Sequence, residues 1–323
     1  MAYDIIQTSE KGYVITGLYN FAAGADDFEL IKLDSNGNVT WGEKFGSTSS
    51  DNLGGIVERS DTLFMAGFVY SSAVNTIHPP FTYYDALLCK INKTNGAIIW
   101  AKSYDINSKS NWVFGISTTA NGYRMNLFNS DNFSNTNPTQ MAFDVDRSGT
   151  PIHARQMTVA GTSIAATESS PTFDGGYILS QGYFDATNGD PFLHKVDASG
   201  NVTWTNRIQR SGIQYLTQVF QNYDSSFGGA GVDGNRGLLF RSSRWGKTYC
   251  SDSALNYPGT LFTPTTYLDT FATTALTFTS PSITVVGINA QTVQTDICSY
   301  DPCAISGGYG PTLCGRAASG SDQ

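Results

Sequence analysis

The sequence predicts an all-β fold of short antiparallel strands, and three observations predict it. The first is composition. The 323 residues include 33 Gly, 17 Tyr and 19 Phe, and only 14% are charged. Frequent glycine and aromatics with few charges suit strands joined by many turns. The second is an echo: "LDSNGNVTW" at 33–41 returns as "VDASGNVTW" at 196–204. The third is the chemistry inside that echo. Asp-x-x-Gly between two apolar runs is hairpin chemistry: Asp caps the turn through its side chain, and Gly takes the positive-φ position.

The echo belongs to a repeat. A strand carries Lys32, Lys90, Asp144, Lys195 or Arg241 near its end, followed two residues later by Asp34, Asn92, Asp146, Asp197 or Ser243. The turn glycine is Gly37, Gly96, Gly149, Gly200 or Gly246. Four residues beyond each glycine stand Trp41, Trp100, His153, Trp204 and Cys250. Upstream of each unit lies a turn and a short strand, as in "KGYVITG", "DTLFMAG", "NGYRMNL", "DGGYILSQG" and "SSFGGAG", with one more short strand in front. Four short strands recurring every ~40–50 residues predict a β-propeller, and five copies predict about five four-stranded blades. The alternation in "FELIKL" places side chains on both faces of a packed sheet. The repeated Trp is expected between adjacent sheets.

The pattern "DGGYILSQGY…DPFLHKVDASGNVTWTNRI" resembles the repeats of secreted and surface propeller proteins of Bacteroidetes. The likeness covers residues 4–250 and is closest at 174–204 and 12–41. In such proteins the last blade often ends in Cys where earlier blades have Trp, and Cys250 fills that slot. A Thr/Ser-rich β segment ending in another Cys then follows, which 260–298 resembles. The resemblance implies an extracellular or cell-surface location and O-glycosylation at Asp-Ser/Thr-aliphatic triplets, with Thr62, Ser253 and Thr270 as candidates. The third unit departs by losing its Lys and Trp, and the fifth lacks K-x-D, so those blades are expected to be distorted or specialised.

Two regions follow: a propeller over 1–250 and a Thr/Ser-rich β extension over 251–323. The extension either packs along its own propeller, begins an Ig-like module, or pairs with another subunit. Cys250, Cys298, Cys303 and Cys314 are disulfide candidates that would staple it, with three connectivities open. Zinc is the weaker reading, since no C-x-x-C is present. Cys89 occupies an apolar slot and reads as a buried thiol. Asn38, Asn92, Asn132 and Asn201 stand in N-x-S/T triplets, three of them in or beside hairpin turns that favour Asn anyway.

The net charge of −8 argues against nucleic acid and anionic membrane partners. No apolar run reaches the ~20 residues of a membrane-spanning helix. The first residues lack a basic and an apolar region, so no signal peptide is read in this chain. Three histidines, His78, His153 and His194, form no metal-ligand spacing, and no hydrolase, metalloprotease or nucleotide-binding motif occurs. No cofactor is expected. The run 185–190 offers oxygens of the kind calcium takes, but without an EF-hand spacing, and a plain polar loop is the stronger reading.

Insertions between the second and third strands of four units should emerge on one side of the ring. They carry Tyr70, Phe81, Tyr83, Tyr84, Phe128, Phe133, Tyr183 and Phe184, which suit glycan or protein contact or pack the loops onto the blades. The expected function is a non-catalytic structural protein that self-assembles, as an oligomer or fibre, through its extension. A monomeric adhesion or carbohydrate-binding propeller is the alternative, and a secreted glycan-active enzyme the third. Expected partners are further copies of the chain, then glycans or surface proteins.

Overall fold

A computed structural model describes residues 2–275, except 20–25, 47–50, 71–83, 107–108, 131–138, 158–162, 185–188, 209–213, 234–235, 248–251, 255–258, 263–264 and 270–271. Met1–Pro281 form one compact unit. Within it, five small antiparallel sheets follow one another as the blades of a propeller.

Blade one comprises β1 (Ala2–Gln7), β2 (Tyr13–Tyr19), β3 (Asp27–Leu33) and β4 (Val39–Gly46). Blade two comprises β5 (Asn52–Arg59), β6 (Thr62–Tyr70), β7 (Tyr84–Asn92) and β8 (Ile98–Asp105). Blade three is β9 (Ser110–Thr118), β10 (Gly122–Ser130), β11 (Thr139–Asp146) and β12 (Pro151–Met157). Blade four is β13 (Ser163–Pro171), β14 (Tyr177–Phe184), β15 (Gly189–Val196) and β16 (Val202–Ile208). In blade five the described strands are β17 (Gln214–Gln221), β18 (Phe227–Asp233) and β19 (Arg236–Ser242). The stretch 248–251, where the repeat puts a fourth strand, lies outside the described residues. The first strands contact one another in the order β1–β5–β9–β13–β17 and line the axis.

The extension supplies four further strands. β20 (Asp252–Ala254) pairs with β16, β21 (Gly259–Phe262) with β12, β22 (Thr265–Asp269) with β8, and β23 (Ala272–Ala275) with β4, all antiparallel. The chain therefore steps back around the ring, laying one short strand on the outer edge of blades four, three, two and one. Backbone groups that an outer edge would otherwise leave unpaired are satisfied this way. Cys250, Cys298, Cys303 and Cys314 lie outside the described residues, while Cys89 is fully buried.

The repeat's residues do recurrent mechanical work. Asp34 Oδ1 accepts hydrogen bonds from the Asn36 and Asn38 amides at 2.8 Å, and Asp146 does the same for Ser148 and Thr150. The turn glycines sit at φ of +72° to +85°. Each fourth-strand ring then rests on the turn glycine of the next blade. A Cβ on Gly149 would lie 2.8 Å from Trp100, and one on Gly246 would lie 2.2 Å from Trp204. The Trp41 indole lies against Gly96 and donates to the Lys93 carbonyl at 3.0 Å. The glycine is thus needed twice, for its dihedral and for the flat surface it leaves.

Packing between blades is equally regular. Leu30 shares a cluster with Ile56 of the next blade, Leu88 with Ile116, and Leu193 with Val219. Every blade therefore has a front face, carrying the Leu30-type residue, and a back face, carrying the Ile56-type residue. His194 replaces an apolar residue and is fully buried, with Nδ1 2.9 Å from the Thr205 hydroxyl. Burial brings its pKa down to about 3, so the ring is neutral.

The third unit compensates for its irregularity. Asp144 stands in the Lys slot, and Arg124, its cross-strand partner, bonds it through Nε at 2.6 Å and Nη2 at 2.5 Å. His153, in the Trp slot, places Nε2 3.2 Å from the same carboxylate. The Arg124 guanidinium also stacks 3.7 Å over the Tyr177 ring of blade four. Burial raises the Asp144 pKa, but His153 and Arg124 outweigh it and hold the carboxyl below the usual range.

Candidate functional site

Function on such a ring would sit on one of four surfaces: the insertion side, the opposite side, the axis, or an open blade face. On the insertion side, Phe81, Tyr83 and Phe133 lie outside the described residues. Tyr183 and Phe184 end β14, their backbones paired with Asp190 and Gly189. Tyr84 and Phe128 are buried and Tyr70 is half-buried. The Tyr84 ring meets Phe68, Trp112 and Tyr70 edge-on, at 4.9, 5.1 and 5.7 Å between centroids. These rings fasten blade two to blade three, and burial raises the Tyr84 pKa. Charged groups there are also committed. Asp27 pairs with Lys44, and Asp190 accepts from Arg207 Nε at 2.8 Å. Asp190 is one end of the run considered for calcium; Asp185 lies outside the described residues.

The opposite side carries the first-to-second-strand turns. Between blades one and two, Lys93 Nζ lies 2.7 Å from Glu58 and 3.2 Å from Glu10, and Lys32 reaches Glu10 at 2.8 Å. Lys32 and Lys93 hydrogen bonds lower the Glu10 pKa, although the group is exposed. Between blades two and three, Arg59 donates to the carbonyls of Gly122 and Thr119 at 3.0 and 3.3 Å. These contacts tie each turn to the next. The axis holds a cavity of about 240 Å³ lined by first-strand residues of all five blades, among them Ile5, Val57, Ile116, Ser170 and Gln218.

Two fully buried amides, Asn126 and Gln140, lie on the front of blade three with no hydrogen-bond partner at either amide atom. Among the described residues no group of three or more His, Cys, Asp or Glu is placed to hold a metal ion.

The glycan candidates scatter. The Asn38 and Asn201 amides donate to Asp34 and Asp197 at 3.0 and 3.2 Å within their own turns. Asn92 accepts from the Thr94 amide at 2.8 Å, and the Thr62 hydroxyl donates to the Arg59 carbonyl at 2.9 Å. Ser253 lies in β20, and Asn132 and Thr270 lie outside the described residues.

Among the described residues, the front of blade five is open. Leu239 is 85% exposed, whereas the residues in its slot elsewhere, Leu30, Leu88, Ala142 and Leu193, are at most 2% exposed. Phe220 is 44% exposed and Tyr223 fully so. They border a cavity of about 400 Å³ together with Asp224, Gly228, Phe240 and Arg241. Phe173 of blade four lies beside Tyr223, the ring centroids 6.1 Å apart. None of these residues stands out in sequence reasoning confined to insertions. A scan against family models matches no family, and a search of curated proteins finds no match to the chain.

Proposed function

We propose that the chain is a non-catalytic, extracellular or surface-exposed structural protein whose propeller self-assembles, with the C-terminal extension as connector. The observation that carries this reading is the extension itself: four short strands, each paired through backbone bonds to the outer edge of a different blade. Backbone pairing on an outer edge asks little of side-chain identity. The outer strand of a neighbouring copy presents the same edges, so such strands exchange between copies at low cost. The ionisable groups support the reading too, since Lys93, Asp144, Asp174 and Asp190 are occupied in pairs that join strands or blades.

The test is the mass of the natively isolated chain, by light scattering on a sizing column with electron microscopy of the same fractions. Multiples of the 34.8 kDa chain mass that collapse on truncation after residue 250 are the expected result. A monomer at all concentrations sinks the proposal. Saturable polysaccharide binding by that monomer would then favour the adhesion reading.

A further inference from the structure

The first strands line the axis, and their register is constant. Ile5 pairs with Ile15, Ile56 with Met65, Ile116 with Met125, Ser169 with Leu179 and Val219 with Gly229. Ser169 therefore holds a slot that is aliphatic in the other four blades. It is 7% exposed, and its hydroxyl has no hydrogen-bond partner. It lines the axial cavity of about 240 Å³. An unpaired buried hydroxyl costs free energy that an aliphatic residue avoids, so a serine in this slot calls for a polar group within its reach.

One residue before Ile5, Ile56 and Ile116 stand Asp4, Gly55 and Gly115. Asp4 Oδ1 accepts from the Ile5 amide at 2.8 Å, and Oδ2 accepts from the Ile56 amide of blade two at 3.0 Å. A carboxylate of blade one thus meets a backbone donor that blade two presents near the axis. Gly55 has no side chain with which to do the same for Ile116 of blade three. A Cβ on Gly55 would lie 3.4 Å from Asp4 Oδ2 and 3.4 Å from the Ile116 amide nitrogen. One point is therefore bounded by an acceptor and by a donor at equal distance. A hydroxyl at that point donates its proton to Asp4 and accepts from Ile116, and the bond to the carboxylate is charge-assisted.

We propose that the axial cavity binds a small, neutral, polyhydroxylated molecule the size of a single sugar, with one hydroxyl between Asp4 and Ile116 and another on Ser169. The lining suits that chemistry. Among the described residues that line the cavity, Asp4 alone is charged. A lone carboxylate disfavours an anion, and it supplies too little charge for a divalent cation. Ser117, Ser169 and Gln218 offer groups that both donate and accept, while Val57 and Ile116 give apolar wall for the C–H faces of a sugar ring. At about 240 Å³ the cavity is smaller than the ~300 Å³ at which pockets for drug-sized ligands begin. Every residue named belongs to one chain, so the site is the same in a monomer and in an assembly, and it does not rest on self-assembly.

The test titrates the full-length chain with D-glucose, D-galactose and D-mannose in turn by calorimetry, and follows hydrogen exchange of the β9 peptide that carries Ile116. The expected result is one saturable site for at least one of the three sugars, with slower exchange of that peptide. Gly55→Ala puts a methyl group where the hydroxyl would sit. Its contacts are ordinary van der Waals distances and Gly55 has no positive φ, so the variant should keep the β-sheet circular dichroism of the parent. It should bind about tenfold more weakly or worse. Ser169→Ala should weaken binding by about five- to tenfold and, without sugar, should raise the urea midpoint by removing the unpaired hydroxyl. Binding of none of the three sugars leaves water alone as the occupant and overturns the proposal. Binding that both variants leave unchanged, or that leaves exchange of the β9 peptide unaltered, lies elsewhere on the chain and overturns it too. If Gly55→Ala loses the sheet spectrum, Ser169→Ala decides between the outcomes.

Discussion

At the residue scale, the turn glycines separate two demands that usually coincide. Gly37 has φ +85° and open space where a Cβ would go, whereas Gly246 has φ +72° and the Trp204 ring in that space. Gly37→Ala should therefore cost about 1 kcal/mol, from the left-handed backbone alone. Gly246→Ala adds overpacking against Trp204, for a further ~1–3 kcal/mol. Urea midpoints of the two variants check the order. His194 makes a second prediction. Its folded pKa of about 3 lies below the ordinary value of about 6.5, because burial disfavours the charged ring. The unfolded chain therefore binds the proton first. The stabilisation is complete above pH ~6.5 and is lost as pH falls towards ~3, at up to about 1.4 kcal/mol per unit. His194→Phe places in the slot the residue that Phe143 and Phe240 already provide, and it should flatten the pH dependence of the unfolding free energy across that window.

At the element scale, the blades and the belt of extension strands differ in what holds them. Strands such as β7 and β11 pair on both sides and bury nearly every residue. Each extension strand has three to five residues and one pairing neighbour. Local opening of such an element breaks few bonds and exposes little apolar area. Hydrogen exchange should show the amides of β20–β23 exchanging at least about tenfold faster than those of β7 and β11 in the free protein. If the belt exchanges with neighbours on assembly, its protection changes little, because the same kind of edge is paired in either copy.

At the scale of the whole molecule, five blades surround an axis. The net charge of −8 makes copies repel one another at low ionic strength. Raising salt from about 0.01 M to about 0.15 M shortens the screening length from about 30 Å to about 8 Å. The apparent mass on the sizing column should therefore rise with salt. A mass that falls instead would point to ion pairs as the adhesive.

The repeat was open to reading because its signals are local. Hairpin Asp and Gly act within five residues, alternation acts within one strand, and the Trp slot recurs at a readable period. Blade number and the buried state of Cys89 and His194 followed from those slots. Long-range pairing was not legible. The order in which 252–275 caps four blades depends on which edges lie open in space, and any Thr-rich β segment suits any edge. The rescue of the third unit was hidden for the same reason: Arg124 meets Asp144 only through sheet register, across strands 20 residues apart. The aromatic residues Tyr84 and Phe128 carry no mark in sequence of facing inward, since the direction of a side chain at a loop boundary is decided by the neighbouring blade. Leu239 and Leu30 occupy the same slot of the same repeat; only the tertiary structure makes one a core residue and the other a surface, because burial depends on whether another sheet stands in front.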